Sequence, residues 1–284
     1  MTAPFRPRRS ALYLPASNDR ALAKARTLAC DVVILDLEDA VAPEQKAAAR
    51  EAAVAAVRAH RAGVHGFGKR ELVVRINAFA SEWGEADCRA LAGAAPDAVL
   101  VPKVDDAADV VAVAERLGDV PVWAMVETAR SLLRLERIAA AAPMAALVMG
   151  TNDLARELGS RPGGDRLPFL GVFTQAVAAA RAYGLAVLDG VHNAIDDADG
   201  LAAECAQAVR FGFDGKTLIH PAQIDACNAA FSPSAEDVAW AEAVERAFAT
   251  PEAAGRGAIR LDGQMVERLH LDQARRTLAL ARRG

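Results

Sequence analysis

Two carboxylates stand directly after two apolar runs in the middle of the chain. Glu127 follows PVWAMV, and Asp153 follows AALVMGTN. Each run predicts a short buried strand, and parallel α/β proteins keep their catalytic groups at the carboxyl ends of their strands. Carboxylate oxygens are the ligands that hard cations prefer. The pattern therefore predicts a hard-cation site at the edge where these strands end.

Three more acids, Asp36, Glu38 and Asp39, lie at the end of the run DVVILDLED. Like charges about 4 Å apart near a protein surface repel by roughly 4 kcal/mol, so such a cluster usually holds a cation, a proton or an arginine. Together with Glu127 and Asp153, these acids favour Mg²⁺ bound by a few carboxylates, with waters and substrate oxygens as the other ligands. The histidines show no HExxH spacing, which argues against zinc.

Arg75 is the only arginine inside an apolar strand run, ELVVRIN. A buried guanidinium without a partner is costly, so this side chain must face a carboxylate or a substrate. One interpretation is a cationic group beside the metal that stabilises a developing oxyanion. The other is a structural ion pair with an acid of the DLED segment. Polar residues also end other predicted strands: Asn77, Lys103, Asp189 and His220.

The composition limits the classes of protein to which the chain can belong. With 284 residues, of which 53% are hydrophobic and 25% charged, one large core is expected. The net charge is −4 with acids and bases interspersed, so no nucleic acid and no anionic membrane is predicted as a partner. No run reaches the roughly 20 apolar residues that cross a bilayer. The N-terminal prolines leave no room for the apolar region of a signal peptide.

Several common site types have no support in the sequence. The chain has no GxGxxG segment, no Walker A loop and no nucleophile elbow, so nothing indicates a dinucleotide, a P-loop nucleotide or a Ser/His/Asp triad. The cysteines are far apart and form no CxxC pair, which argues against thiolate metal sites and disulfides and fits a reducing cytoplasm. They are Cys30, Cys88, Cys205 and Cys227.

Eight apolar runs alternate with Ala-rich segments of helical spacing along most of the chain. The runs are continuous, as in parallel strands that are covered on both faces. This order predicts an α/β fold in residues 1–230, a (β/α)8 TIM barrel, with an open doubly wound sheet as the alternative. Residues 231–284 lie outside this eight-fold pattern and are predicted to form a helix, then a short extended piece and a last helix. Such a tail is free to become a lid or an arm on a neighbouring subunit.

The motifs, taken in order, carry a resemblance to a known family. They are RSALYLPASN, DVVILDLEDAVAPEQK, VVRIN, VPKV, ETA, GTNDL, DGVHNAIDD, FGFDGKTLIHPAQI and LDGQM. From about Arg9 to the C-terminal tail, the chain resembles the citrate lyase β-subunit-like (CitE-like) family. That family belongs with the malyl-CoA and citramalyl-CoA lyases in the wider HpcH/HpaI aldolase group. The most specific strings are DLEDAV and GFDGKxxIHPxQI.

The resemblance implies a role for each residue that matches a motif. Glu127 of ETA and Asp153 of GTNDL would bind Mg²⁺. Arg75 of VRIN would contact the thioester or the nascent enolate. The acids Glu38 and Asp39 of DLED would orient a metal-bound water.

The resemblance also implies an oligomer and a CoA site. In lyases with the C-terminal DGxM motif, its aspartate, here Asp262, comes from a neighbouring subunit and assists proton transfer. The tail would then be an intersubunit lid in a homotrimer, with a hexamer as the alternative. Arg20, Lys24 and Lys46 would meet the phosphates of coenzyme A, although a solvated basic face is the other interpretation.

The implied activity is that of a Mg²⁺-dependent carbon–carbon lyase. It would cleave a 3-hydroxy-acyl-CoA thioester of the malyl-, citramalyl- or citryl-CoA type into acetyl-CoA and a 2-oxo acid by a retro-Claisen reaction. Three alternatives stay open: an acyl-CoA thioesterase, an aldolase on free 2-oxo acids, and a non-catalytic subunit of a citrate lyase complex. GTNDL stands where a dedicated citrate lyase subunit is expected to have a GAED-like string, which argues against a citryl-carrier substrate.

Overall fold

The computed structural model describes residues 6–250, 253 and 255–282. The chain divides into two compact units. One comprises residues 8–228, and the other comprises the described residues from 229 onwards with Arg6 and Pro7. No helix among the described residues is long and apolar enough to cross a membrane.

The larger unit contains a closed barrel of eight parallel strands. The strands are β1 (Ser10–Pro15), β2 (Val32–Asp36), β3 (Glu71–Arg75), β4 (Ala98–Val101), β5 (Val122–Val126), β6 (Met144–Met149), β7 (Ala186–Asp189) and β8 (Gly215–Leu218). Each strand pairs with the next along the chain, and β8 pairs with β1. The predicted (β/α)8 TIM barrel is therefore confirmed. The open doubly wound sheet is wrong, because pairing between the first and last strands closes the sheet.

Helices follow the strands and surround the barrel. They are α1 (Asp19–Ala25), α2 (Lys46–Arg61), α3 (Gly84–Ala92), α4 (Ala107–Leu117), α5 (Ala129–Leu133), α6 (Leu135–Ala140), α7 (Thr151–Leu158), α8 (Leu170–Ala182) and α9 (Ala198–Phe211). A further helix, α10 (Ile224–Ala230), contains the boundary between the two units. The alternation of strand and helix is the one that the apolar runs and Ala-rich segments predict.

The barrel interior is filled by alternate residues of the strands, because successive side chains of a strand point to opposite faces. Its core includes Ile34 of β2, Val73 of β3 and Met125 of β5. Two residues further along each of these three segments, the same interior face ends in a charged residue. These are Asp36, Arg75 and Glu127. The strand period thus delivers three charged side chains to the carboxyl-terminal mouth of the barrel.

The turn after β5 is held by a helix cap. The Thr128 side chain accepts a hydrogen bond from the backbone N–H of Ser131 at 2.9 Å and donates one to the Asp105 carboxylate at 2.7 Å. A capped N-terminus ends the extended conformation and begins α5 immediately. Glu127, the preceding residue, is therefore fixed between a strand and a rigid turn.

The part of the second unit that the structure describes from residue 231 onwards contains two α-helices and a two-stranded hairpin. Its elements are α11 (Ala235–Phe248), β9 (Ala258–Leu261), β10 (Gln264–Glu267) and α12 (Arg268–Ala281). The short extended piece predicted from the sequence is thus a hairpin, whose turn consists of Asp262 and Gly263 at φ values of 48° and 83°. An Asp-Gly pair favours this left-handed turn geometry, a signal that the sequence already contained.

Candidate active site

Glu127 is a buried carboxylate in close contact with the backbone around it. Its side chain is 2% exposed, and its Oε1 accepts a hydrogen bond from the backbone N–H of Lys103 at 2.8 Å. Gly150 lies against the other carboxylate oxygen, and a Cβ at position 150 would stand 2.4 Å from Oε2. Burial raises the pKa of Glu127, while the positive charge of Lys103 lowers it. Only glycine at position 150 admits this side chain.

Asp153 lies in the first turn of α7, close to Glu127. The ammonium of Lys103 contacts Oδ2 of Asp153 and lies 3.2 Å from Oε1 of Glu127. Arg156, one turn along α7, approaches Oδ1 of Asp153 at 2.7 Å, but its side chain is largely exposed. The two carboxylates therefore face a common point that one cation can reach.

This pair of carboxylates fits Mg²⁺ in its donor chemistry. Both groups offer oxygen ligands, and both already contact a single ammonium. Among the residues that the structure describes, no group of three or more His, Cys, Asp or Glu side chains is arranged to hold a metal. Mg²⁺ usually takes one or two protein carboxylates and keeps several waters, so two are enough. Glu127 and Asp153 are the residues that could hold it.

Arg75 and Asp36 form a buried bidentate ion pair. Nε of Arg75 donates to Oδ1 of Asp36 at 2.7 Å, and Nη2 donates to Oδ2 at 2.6 Å. The Asp36 carboxylate also accepts the backbone N–H groups of Glu38 and Ala40. Of the two interpretations of Arg75, the ion pair with the DLED acids is therefore present. Asp36 is the main acid in this ion pair, and its hydrogen bonds to the backbone also fix the turn that follows β2.

The remaining acids of the DLED segment gather around the same guanidinium. Nη1 of Arg75 lies 2.9 Å from Oε2 of Glu38 and 3.2 Å from Oδ2 of Asp39. The guanidinium also stacks on the ring of Tyr13, 4.8 Å from its centroid. Burial lowers the pKa of Arg75, but the hydrogen bonds and charge of Asp36 outweigh it and hold that pKa above its ordinary value. Arg75 is thus a permanent cation.

The carboxyl group of Glu38 has an unusually high pKa. Burial is the largest cause of a raised pKa at Glu38. Together with the charges of Asp39, Glu127 and Asp36, and against the opposing charge of Arg75, it raises the pKa of Glu38 from its ordinary 4.5 to about 8. A carboxyl group in this range can give or take a proton near neutral pH. Glu38 therefore has the properties of a general acid or base.

The structure contradicts the expected role of Lys46. Its ammonium donates to the carbonyl oxygens of Leu37 and Glu38, both at 2.7 Å, and packs over the ring of Trp83. The residue is 6% exposed. A lysine buried against two carbonyl groups is not available to a CoA phosphate, so this prediction is wrong. Lys46 instead fixes the backbone that carries Glu38.

Arg20 and Lys24 lie on α1 and are exposed, as a phosphate-binding role requires. That role stays a prediction, because exposure on a helix is equally typical of a solvated face. Asp262 is exposed in the hairpin turn of the second unit, and its role also stays a prediction.

Three other polar residues at strand ends have structural partners. Asn77 binds the buried Asp87 carboxylate through its backbone and side-chain amides. Asp189 follows the interior residue Leu188, so it points out of the barrel, where it pairs with Lys216 at 2.8 Å and with Arg166. His220 caps the turn Pro221–Gln223. A sequence marks strand ends but does not show which face each residue takes.

Comparisons with known proteins agree on one family. A family model described as HpcH/HpaI aldolase/citrate lyase matches residues 9–221. A (3S)-malyl-CoA thioesterase of Cereibacter sphaeroides is 49% identical over 275 residues, 97% of this chain and 95% of that protein. A citrate lyase subunit beta-like protein of Mycobacterium tuberculosis is 39% identical over 261 residues, 90% of this chain and 89% of that protein.

A similar crystal structure is also known. It is that of the protein CitE from Mycobacterium tuberculosis in complex with magnesium, acetoacetate and coenzyme A. Its TM-score is 0.78 and its sequence identity 37%, over 97% of this chain and 98% of that one. The match extends over nearly the full length of both chains.

The raised pKa of Glu38 predicts a pH-dependent stability. The protonated form stabilises the folded state fully below the ordinary pKa of 4.5, and this contribution is lost as pH rises through about 8. Glu38→Gln should therefore flatten the decline in the free energy of unfolding between about pH 4.5 and about pH 8, by on the order of a few kcal/mol. Urea unfolding of the metal-free protein at several pH values measures this free energy.

The control is the exposed acid of α2, Glu51→Gln, which should leave the pH profile unchanged. Parallel pH profiles for the wild-type protein and Glu38→Gln would contradict the assignment of a raised pKa to Glu38.

Proposed function

This chain belongs to the HpcH/HpaI aldolase/citrate lyase family, and from that premise we propose that it is a Mg²⁺-dependent enzyme acting on the CoA thioester of a small 3-hydroxy acid. Its reaction is hydrolysis of a malyl-CoA-type thioester to free CoA and the hydroxy acid. The observation that carries this proposal is the 49% identity to (3S)-malyl-CoA thioesterase over 97% of the chain. The mouth of the barrel offers the groups that such a reaction needs.

A carbon–carbon lyase is the second candidate. The family includes citrate lyases, and the citrate lyase subunit beta of Escherichia coli is 30% identical over 288 residues. Both reactions need the hydroxy acid and the thioester to be held side by side. They differ in the bond that breaks, C–S in the thioesterase and C–C in the lyase.

Glu127 and Asp153 hold the metal in this proposal. Their support is the shared cation contact through Lys103 and the all-oxygen donor set. When bound, Mg²⁺ supplies positive charge that orients and polarises the oxygens of the hydroxy-acid end of the substrate. The acids thus fix where that end of the substrate lies relative to Arg75.

Arg75 stabilises negative charge on the thioester oxygen. Nε and one N–H of Nη2 donate to Asp36, and Nη1 donates to Asp39. Among the described residues, the second N–H of Nη2 has no acceptor, so it can donate to a substrate oxygen. The bidentate pair with Asp36 holds the guanidinium rigid, so little reorganisation is needed when the carbonyl oxygen gains charge. Arg75 serves both as an ion-pair partner and as an oxyanion donor.

Glu38 accepts and then donates the proton in this proposal. In hydrolysis, its carboxylate takes a proton from the attacking water as the C–O bond forms, and the carboxyl group returns it to the sulfur as the C–S bond breaks. Its pKa of about 8 suits both transfers near neutral pH. Asp39, which is exposed and lies beside Arg75, orients the water.

Two further assignments come from the family resemblance alone. Asp262 assists proton transfer from a neighbouring subunit of a homotrimer, and Arg20 and Lys24 contact the CoA phosphates. Co-expression of Asp262→Asn chains with Glu127→Gln chains should restore part of the turnover that each variant lacks alone, because mixed oligomers contain some complete sites. If mixed oligomers form and no turnover returns, Asp262 does not act across an interface.

Product analysis decides between the two candidate reactions. The purified protein is incubated with Mg²⁺ and malyl-, citramalyl- or citryl-CoA, and the products are identified by mass spectrometry. We expect free CoA with intact hydroxy acid from malyl-CoA. Acetyl-CoA with a 2-oxo acid would instead establish the lyase, and survival of every substrate would contradict the proposed substrate class.

Arg75→Lys should lower kcat by on the order of 10²–10³, because lysine cannot bind Asp36 in a bidentate manner and also present a donor to the thioester oxygen. Steady-state kinetics with the substrate identified above measures the change. Arg70→Lys is the control, since the Arg70 guanidinium binds carbonyl groups of Leu28 and Phe67 away from this site. A kcat near the wild-type value in Arg75→Lys would remove Arg75 from the mechanism.

A further inference from the structure

Lys103 contacts both candidate metal ligands, Glu127 through its backbone and its side chain and Asp153 through its side chain. Its backbone N–H donates to Oε1 of Glu127 at 2.8 Å, and its ammonium lies 3.2 Å from the same oxygen. The ammonium also contacts Oδ2 of Asp153. Lys103 is thus the cation that joins the two carboxylates.

The backbone of Lys103 is shaped for this contact. Its φ is 54°, in the left-handed region that residues other than glycine seldom adopt. Such conformations persist where the surrounding structure holds them, and they concentrate at functional sites. The neighbouring Val101 and Val104 are buried and anchor the chain on both sides. The main chain is therefore fixed while the side chain ends in a rotatable, partly exposed ammonium.

We propose that Lys103 is a tethered counter-ion that neutralises Glu127 and Asp153 until Mg²⁺ binds, and that its released ammonium then binds the carboxylate of the substrate. The inference rests on the proposed metal site. It adds an order of binding, in which the metal comes first and the anionic end of the substrate second.

The argument for exchange is electrostatic. The ammonium occupies the same carboxylate oxygens that a divalent cation would use, and two cations cannot share one position because like charges repel strongly at short range. The Lys103 side chain is 32% exposed and has a flexible four-carbon stem, so it can leave while its backbone N–H stays on Glu127. After exchange, the ammonium remains tethered beside the metal, where an anionic substrate group needs a partner.

The test is calorimetric titration of Mg²⁺ into the metal-free, full-length protein. Lys103→Met removes the competing charge and should strengthen Mg²⁺ binding by at least about tenfold, which corresponds to roughly 1.4 kcal/mol. The matched control is Arg156→Met, which removes a positive charge that also contacts Asp153 but is largely exposed. We expect little change in this control, because exposed ion pairs contribute little.

Thermal unfolding provides a second readout. Without Mg²⁺, Lys103→Met should have a Tm below that of the wild-type protein by several degrees, because the buried Glu127 loses its counter-ion. Saturating Mg²⁺ should raise the Tm of the variant more than that of the wild type. Lys103→Gly is a second variant that keeps the N–H contact to Glu127 and tolerates the left-handed backbone, and it should show the same strengthened Mg²⁺ binding.

Binding of oxalate, a small dicarboxylate that stands in for the anionic end of the substrate, tests the second half of the inference. At saturating Mg²⁺, Lys103→Met should bind oxalate at least about tenfold more weakly than the wild type. Unchanged or weakened Mg²⁺ affinity in both Lys103 variants, or an equal gain in Arg156→Met, would overturn the counter-ion role. Unchanged oxalate affinity would overturn the substrate role. If the wild-type protein does not bind Mg²⁺, the proposed metal site itself fails.

Discussion

The constraint on which the site depends is the excess of negative charge at the mouth of the barrel. Five carboxyl groups meet there: Asp36, Glu38, Asp39, Glu127 and Asp153. Arg75 and Lys103 lie between them, and the largely exposed Arg156 also contacts Asp153. Unpaired carboxylates this close together repel, and burial makes the repulsion larger. The excess is relieved by protonation of Glu38 and, in our proposal, by a divalent cation. The chemistry of the site follows from how this charge is compensated.

Arg75 and Lys103 compensate the negative charge in different ways. Arg75 is buried, bidentate on Asp36 and stacked on Tyr13, so its position is rigid. Lys103 is partly exposed and ends in a point charge, so its position can change. A rigid cation suits stabilisation of an oxyanion, and a mobile one suits exchange with a metal. The barrel places one beside the other because β3 and β4 are neighbouring strands.

The sequence predicts most of this arrangement because strand period and strand order are local properties. The apolar runs place Asp36, Arg75 and Glu127 at or just after the carboxyl ends of predicted strands, and the closed barrel brings their side chains together at its mouth. The prediction that Lys46 binds a CoA phosphate was wrong because its flexible side chain turns inward to backbone carbonyl groups. The spacing of residues in the sequence does not reveal that direction. The bridging position of Lys103 depends on a left-handed backbone residue and on contacts between separate strands, and neither has a sequence signal.

The central claim is that Glu127 and Asp153 form one divalent-cation site in each chain. Titration with Mn²⁺ as a paramagnetic substitute for Mg²⁺, followed by electron paramagnetic resonance, tests it most directly. The account predicts one bound ion per chain in the wild-type protein and none in the variant that combines Glu127→Gln with Asp153→Asn, with circular dichroism unchanged. An undiminished bound signal in that folded variant would contradict the claim.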